Sequence, residues 1–523
     1  MPPSRMPLPQ QTEPLPRIRF EIRHSQATNL FHWVDYLADS SAGKSRERYY
    51  RHWVLRFGPL TEEDHRLLDG FRQVRIRRLL PKSAPNDYPS TDCVPLWNAD
   101  ISRRQAMSVA AIGAQSFDEL LARLRQVTST EEGDAVEAAL RHFAPRFESI
   151  WPQVTFLSPF QQALDQYLAQ PRPRELLGHF ARFYRIPSDT QLVVVVGLVG
   201  LLDAGAPTHA EASGRHLLIE VRPDDRPQDQ VQVIFHELCH VLYNALTPEQ
   251  RAQLASQFYR LGTGGMMGWS LAHEALPSAM GQGLAQAILT PDLFRWPHAW
   301  YHIPEIDLAA KHIYPVIRAE FFAGRSLFDQ LPLLISRRID RSAVTRRIRP
   351  FDQLTDALIL ADSPMATKLR ASRIPVPVRP IYQVDPSRES GAEFIKRSAC
   401  LPLIGFITIE DLNTLPVARD EAVRLPQIYN PLPTHAAGVI TPVRRPSGAA
   451  ALWVIARDDS EVPTMIDAVT QLDGWPTSPQ IVRRVTSQAP LQAPNASRSV
   501  SINSSSDTVP ALRSIAAPIG IPF

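Results

Sequence analysis

A chain of 523 residues with 44% hydrophobic content is long enough for two or three domains, each burying its own core. A formal net charge of +3 is close to balance and argues against nucleic acid or another strongly charged partner. Three cysteines, Cys93, Cys239 and Cys400, are odd in number and too few for a disulfide framework, which suits a reducing compartment.

Residues 1–17 read as a disordered, proline-rich leader without an apolar h-region, so no secretory signal is expected and the predicted location is cytoplasmic. Residues 18–152 are expected to form a mixed, mainly helical domain. It opens with a short strand at 18–22. Leu30, Val34, Leu37 and Ala38 then mark one helix, and residues 61–64 have the form of a cap for a second, continued by Leu67, Leu68 and Phe71. Residues 117–124 mark a third.

Residues 153–325 carry the chemistry. The stretch 191–202 is rich in β-branched residues and predicts a buried strand, whole or broken at Gly197 or Gly200. A second short strand at 216–221 ends at Arg222-Pro223 and suits a sheet edge, where an extended peptide can pair. A helix then runs from Pro227 to about residue 246. Its wide apolar stripe combines Ile234, Leu238, Val241 and Ala245 with Phe235, Cys239, Leu242 and Leu246. Cys239 lies on that stripe and is expected to be a packed core thiol.

Within this helix stands His236-Glu237-Leu238-Cys239-His240, the HExxH motif. Two histidines four apart project from one helix face and can reach one zinc at about 2.0–2.1 Å, with Glu237 beside them to take a proton from water. After a flexible run at 262–268, a helix is predicted from Trp269, with Leu276, Met280, Leu284 and Ala287 on its apolar face. Glu274 is the preferred third ligand, because an open catalytic zinc site takes three protein ligands; His273 is its competitor. A last helix over 306–322 carries Ala309, Ile313, Val316 and Ala319 as a core stripe.

Residues 326–399 predict a helical and then proline-rich connector. Its basic cluster of Arg337, Arg338, Arg341, Arg346, Arg347 and Arg349 has no interleaved aromatic residue, so it reads as a solvated face and not as a nucleic-acid site. Residues 400–475 predict a small α/β module, with strands at 403–409 and 450–456 and a helix at 462–472. Residues 476–523 predict a disordered tail, in which Asn495-Ala496-Ser497 matches a glycosylation sequon. No apolar run approaches the ~20 residues of a membrane span.

The strand, the HExxH helix and the later helix bearing a glutamate resemble the gluzincin class of zinc metallopeptidases, over residues 185–325. The resemblance implies an α+β fold: a zincin-like catalytic domain with a small sheet and edge strand, the HExxH helix and a mainly helical C-terminal part, flanked by helical and small α/β domains. It also implies zinc on His236, His240 and Glu274, with Glu237 as general base. Two features depart from the class. Ser278 stands where an aspartate often supports the first histidine, and Pro277 requires the ligand helix to start late or kink. The metzincin extension is absent, since Tyr243 and Leu246 occupy its glycine and histidine places. The aspartate-ligand zincins want Gly-Thr-x-Asp, and the Gly-Thr at 262–263 continues with two glycines. Tyr301 and His302 are candidates for the oxyanion donor, and Tyr301 is preferred. The expected function is a peptidase using zinc-activated water on a peptide or protein substrate. The alternatives are a non-peptide amide hydrolase with the same site and an inactive zinc-binding scaffold.

Overall fold

The computed structural model describes residues 7–9, 14–38, 44–76, 103–205, 208–294, 296, 298–340, 358–361, 382–384, 395–396, 402–414, 432–445, 447, 449–472, 475–476 and 478–484. These build a mixed α/β structure in which helices dominate and two small sheets supply the strands. Residues 1–484 cluster as one unit. Among the described residues no helix is long and apolar enough to cross a membrane. Several expectations lie outside them: Cys93, Cys400, most of the leader, the arginines from Arg341 to Arg349, and the sequon within residues 485–523. Arg337 and Arg338 are described and exposed, as a solvated face requires.

The first sheet has the order β1 (Arg17–Arg23), β2 (Gln191–Gly200), β4 (His216–Val221), β3 (Ala210–Ser213). β1, β2 and β4 are parallel, and β3 runs antiparallel to β4. β2 is covered on both faces, which explains its unbroken apolar run. Val194, Val196 and Leu198 join the large core, whereas Val195 and Val199 face Ile112 on the other side. The strand predicted at 216–221 forms, but it lies inside the sheet. The edge belongs to β3, whose four residues, Ala-Glu-Ala-Ser, are too few and too polar to announce a strand.

An N-terminal layer covers the second face. It comprises α1 (Gln26–Ala38), α2 (Lys44–Phe57), α3 (Glu62–Ile76), α4 (Arg103–Gly113), α5 (Phe117–Gln126) and α6 (Thr130–Glu148). Its own core gathers Trp33, Tyr49, Trp53, Phe71, Phe143 and Phe147. The predicted cap at 61–64 is a reciprocal box. Asp64 N donates to Thr61 Oγ1 at 3.2 Å, and Thr61 N donates to Asp64 Oδ2 at 2.9 Å.

Polar contacts dock this layer on the sheet. Asn29 of α1 donates to Leu198 O at 3.1 Å and accepts from Gly200 N at 2.9 Å, bridging two backbone groups of β2. Glu220 of β4 is fully buried. Its carboxylate meets His32 Nε2 at 3.0 Å, Tyr49 OH at 2.9 Å and the backbone N–H of His209 at 2.8 Å. The last of these bonds fixes the start of β3.

On the other face pack α7 (Leu157–Leu168), α8 (Pro171–Phe183) and α9 (Pro227–Asn244). α10 (Pro248–Tyr259), α11 (Gly262–Ser278), α13 (Pro304–Phe322) and α14 (Leu331–Asp340) complete the helical part. Between α11 and α13, a π-helical segment (Ala279–Ala285) leads into the short α12 (Gln286–Leu289). The glycine run at 262–268, expected to be flexible, is helical. Gly262, at φ +71°, makes the turn out of α10. A Cβ on Gly265 would lie 1.8 Å from Phe258 O, so here glycine permits close packing and not motion.

The second sheet has the order β10 (Gln480–Arg483), β8 (Ala436–Arg444), β9 (Ala450–Ala456), β7 (Leu403–Thr408), β5 (Leu358–Leu360), β6 (Tyr382–Val384). With it stand α15 (Ile409–Thr414) and α16 (Val462–Thr470). The two predicted strands and the helix of this module are present. Two corrections apply: β5 and β6 fall in the stretch expected to be a connector, and β10 falls in the stretch expected to be a disordered tail. Each is three or four residues long and takes its stability from neighbouring strands, not from its own composition.

Burial alone would raise the Glu220 carboxyl, but the hydrogen bond and charge of His32, with His209, hold it below its ordinary value of 4.5. Its contribution to stability is therefore complete above about pH 4.5 and lost as pH falls through the lower folded value. Glu220→Ala should cost about 3–5 kcal/mol and flatten that acid limb in denaturant titrations across pH. An unchanged midpoint would show that the network does not hold the layer.

Candidate metal centre

α9 begins with Pro227 at its first turn and with Asp229, whose carboxylate accepts from Arg226 N at 3.0 Å. Ile234, Phe235, Leu238, Cys239, Val241 and Leu242 are fully buried along it. That apolar grip fixes the helix rotation and turns His236 and His240 toward α11 and Glu237 toward β3. Cys239 is the core thiol expected: its Sγ donates to Phe235 O at 3.2 Å, and burial pushes its pKa up.

Three donor atoms converge. His236 Nε2 lies 3.3 Å from His240 Nε2 and 3.3 Å from Glu274 Oε2, and His240 Nε2 lies 3.6 Å from that same oxygen. Among the described residues, these three side chains form a group that could hold a metal ion. The separations test the fit, because donors placed tetrahedrally at about 2.0–2.1 Å from a zinc stand about 3.3–3.4 Å apart. Burial would raise the Glu274 carboxyl, but the two imidazoles hold it well below the usual range, so it is present as an anion.

Glu274 arrives on α11, which does not start late. It runs from Gly262 through the proline and passes into the π-helical segment. Gly281 in that segment touches α9: an added Cβ would stand 2.4 Å from Gln232 O and 2.7 Å from His236 N. Only glycine allows so close an approach, and it brings the outer nitrogen of His236 against the segment. Gln282 Oε1 lies 3.3 Å from His236 Nδ1, and Ser278 Oγ lies 3.5 Å away. Gln282 was missed in the sequence, because the π-helical turn that brings it to His236 leaves no mark in the residue spacing.

Glu237 is buried beside the group. Burial pushes its carboxyl up to about 7, opposed by His236 and by a hydrogen bond from the Ala212 backbone, and reinforced by Glu274 and Glu211. Ala212 belongs to β3, so the motif glutamate touches the sheet edge. Tyr301 stacks on His236 with ring centroids 6.0 Å apart and planes 15° apart. His302 is exposed and stacks on Tyr301 in turn, at 4.5 Å. His273 faces elsewhere, edge-on to Trp269 at 4.9 Å and to Tyr243 at 5.6 Å.

Comparison of the chain with family models, curated proteins and solved structures finds no match. Glu274→Ala should weaken metal binding by more than about 100-fold, beyond what outer partners cost, whereas His273→Ala should change it less than about tenfold. Titration against a chromophoric chelator reads both variants, and the reverse ranking would make His273 the ligand.

Proposed function

We propose that this protein is a zinc-dependent hydrolase of the gluzincin kind, acting as a peptidase. The observation that carries the reading is the convergence of His236 Nε2, His240 Nε2 and Glu274 Oε2 within 3.3–3.6 Å of one another, with Glu237 buried alongside. Two imidazoles and one carboxylate suit zinc, and three protein donors leave a position open, as a catalytic site requires. Zinc held there supplies Lewis acidity toward a carbonyl and acidifies water.

The chain's own residues supply the rest. Glu237 accepts the proton of the attacking water and delivers it to the leaving amine, a role suited to a carboxyl whose pKa is raised by burial. β3 lies at the sheet edge and abuts Glu237 through Ala212, so an extended peptide pairing with β3 is brought alongside the base. Tyr301, stacked on a ligand histidine, provides a phenol for the oxygen that gains charge as the carbonyl is attacked. The sheet order, the HExxH helix and the glutamate helix together support a zincin-like catalytic region. A purely structural zinc site has no use for Glu237, which favours an enzyme over a scaffold.

Glu237→Gln is the direct test. It keeps shape and polarity but cannot take a proton, so zinc binding and the melting temperature should persist while peptide cleavage falls about 10²–10⁴-fold. Cleavage by the parent should stop with a chelator and return with zinc. Equal activity in the variant would overturn the mechanism, and a zinc-bound parent that cleaves nothing in a broad peptide library would favour the scaffold.

A further inference from the structure

We infer that Gln282 is the positioning residue for His236, and that the centre uses a neutral amide where a carboxylate would bind the ion more tightly. The inference rests on the metal reading above. An imidazole that gives its Nε2 lone pair to an ion carries its proton on Nδ1, and that proton needs an acceptor to fix ring orientation and tautomer. Two groups reach His236 Nδ1: Gln282 Oε1 at 3.3 Å and Ser278 Oγ at 3.5 Å.

They are not equivalent. The serine oxygen lies at the limit of a hydrogen bond, and a hydroxyl can donate as readily as accept, so it does not select a tautomer. Gln282 turns its carbonyl oxygen, not its amide NH2, toward the ring. In that orientation it accepts from Nδ1–H and leaves Nε2 facing Glu274 and His240. The backbone is arranged to deliver it: the π-helical segment (Ala279–Ala285) continues α11, and Gly281 lets residue 282 come against α9 beside His236. Such segments gather at functional sites because they reset which side chains face a neighbour.

The neutrality of the amide has a consequence. A carboxylate at that nitrogen would make the imidazole more basic and add negative charge near the ion. With Gln282 there, no second negative charge stands behind the histidine, and an ion would be held less tightly.

The test uses the full chain and two substitutions of similar length. Gln282→Met removes the acceptor, and Gln282→Glu charges it; Ser278→Ala removes the other candidate. Zinc affinity is measured by chelator competition, the visible spectrum of the cobalt-loaded protein reports ligand geometry, and thermal unfolding without metal reports the fold. Gln282→Met should bind zinc about 10–100-fold more weakly with an altered cobalt spectrum, Gln282→Glu more tightly than the parent, and Ser278→Ala within about threefold of it. Opposite directions for Met and Glu separate positioning from packing, since a packing role would be damaged by both. Unchanged binding in Gln282→Met, binding no tighter than the parent in Gln282→Glu, or a loss confined to Ser278→Ala would overturn the role of Gln282. If Gln282→Met does not fold, the Glu variant still decides. A parent that binds no zinc would overturn the metal reading itself, and this role with it.

Discussion

Two helices share one ion only if their backbones come close enough for short side chains to meet. In this protein that distance is set where Gly281 lies against α9. The absence of a side chain at residue 281 brings the π-helical segment onto the backbone of Gln232 and His236. Glu274 and Gln282 then meet opposite nitrogens of the same imidazole. Pro277, which looks like a fault in a ligand helix, is accommodated inside a continuous helix whose next turn widens. Bringing an anionic carboxylate and two imidazoles together has a desolvation cost, which one divalent ion would offset.

The sheet matters because it sets where the edge strand stands. α9 takes its rotation from fully buried side chains packed against the core, whereas β3 is held from the opposite side by polar contacts. Glu220 fixes the backbone at His209, and Arg104 of α4 reaches Glu211 of β3 at 3.3 Å. The N-terminal helices, remote in sequence from the histidines, thus brace the strand that touches Glu237. Glu211 also acts on the Glu237 carboxyl, so the bracing pair and the motif glutamate are electrostatically linked.

Legibility in the sequence followed the physics of each element. α9 could be read because helical periodicity over many residues and fixed ligand spacing point the same way, and Glu274 because the chemistry demands a third donor. β2 was visible from composition alone. β3 was not: four residues stabilised by a neighbour leave no pattern, and without it β4 looked like the edge. β5, β6 and β10 were hidden for the same reason. The glycines at 262–268 suggested flexibility, whereas Gly265 serves close packing, a distinction that depends on Phe258 in the preceding helix. Ser278 stands where a support for His236 is expected, and the oxygen lying nearer to His236 Nδ1 belongs to Gln282, one turn further on.

Anomalous diffraction at the zinc edge, from crystals of zinc-loaded protein, tests the central claim most directly. One peak should lie about 2.0–2.1 Å from the Nε2 atoms of His236 and His240 and about 2.0–2.2 Å from a Glu274 carboxylate oxygen. A protein that takes up no zinc, or holds it without Glu274, would contradict a three-ligand hydrolytic centre at this site.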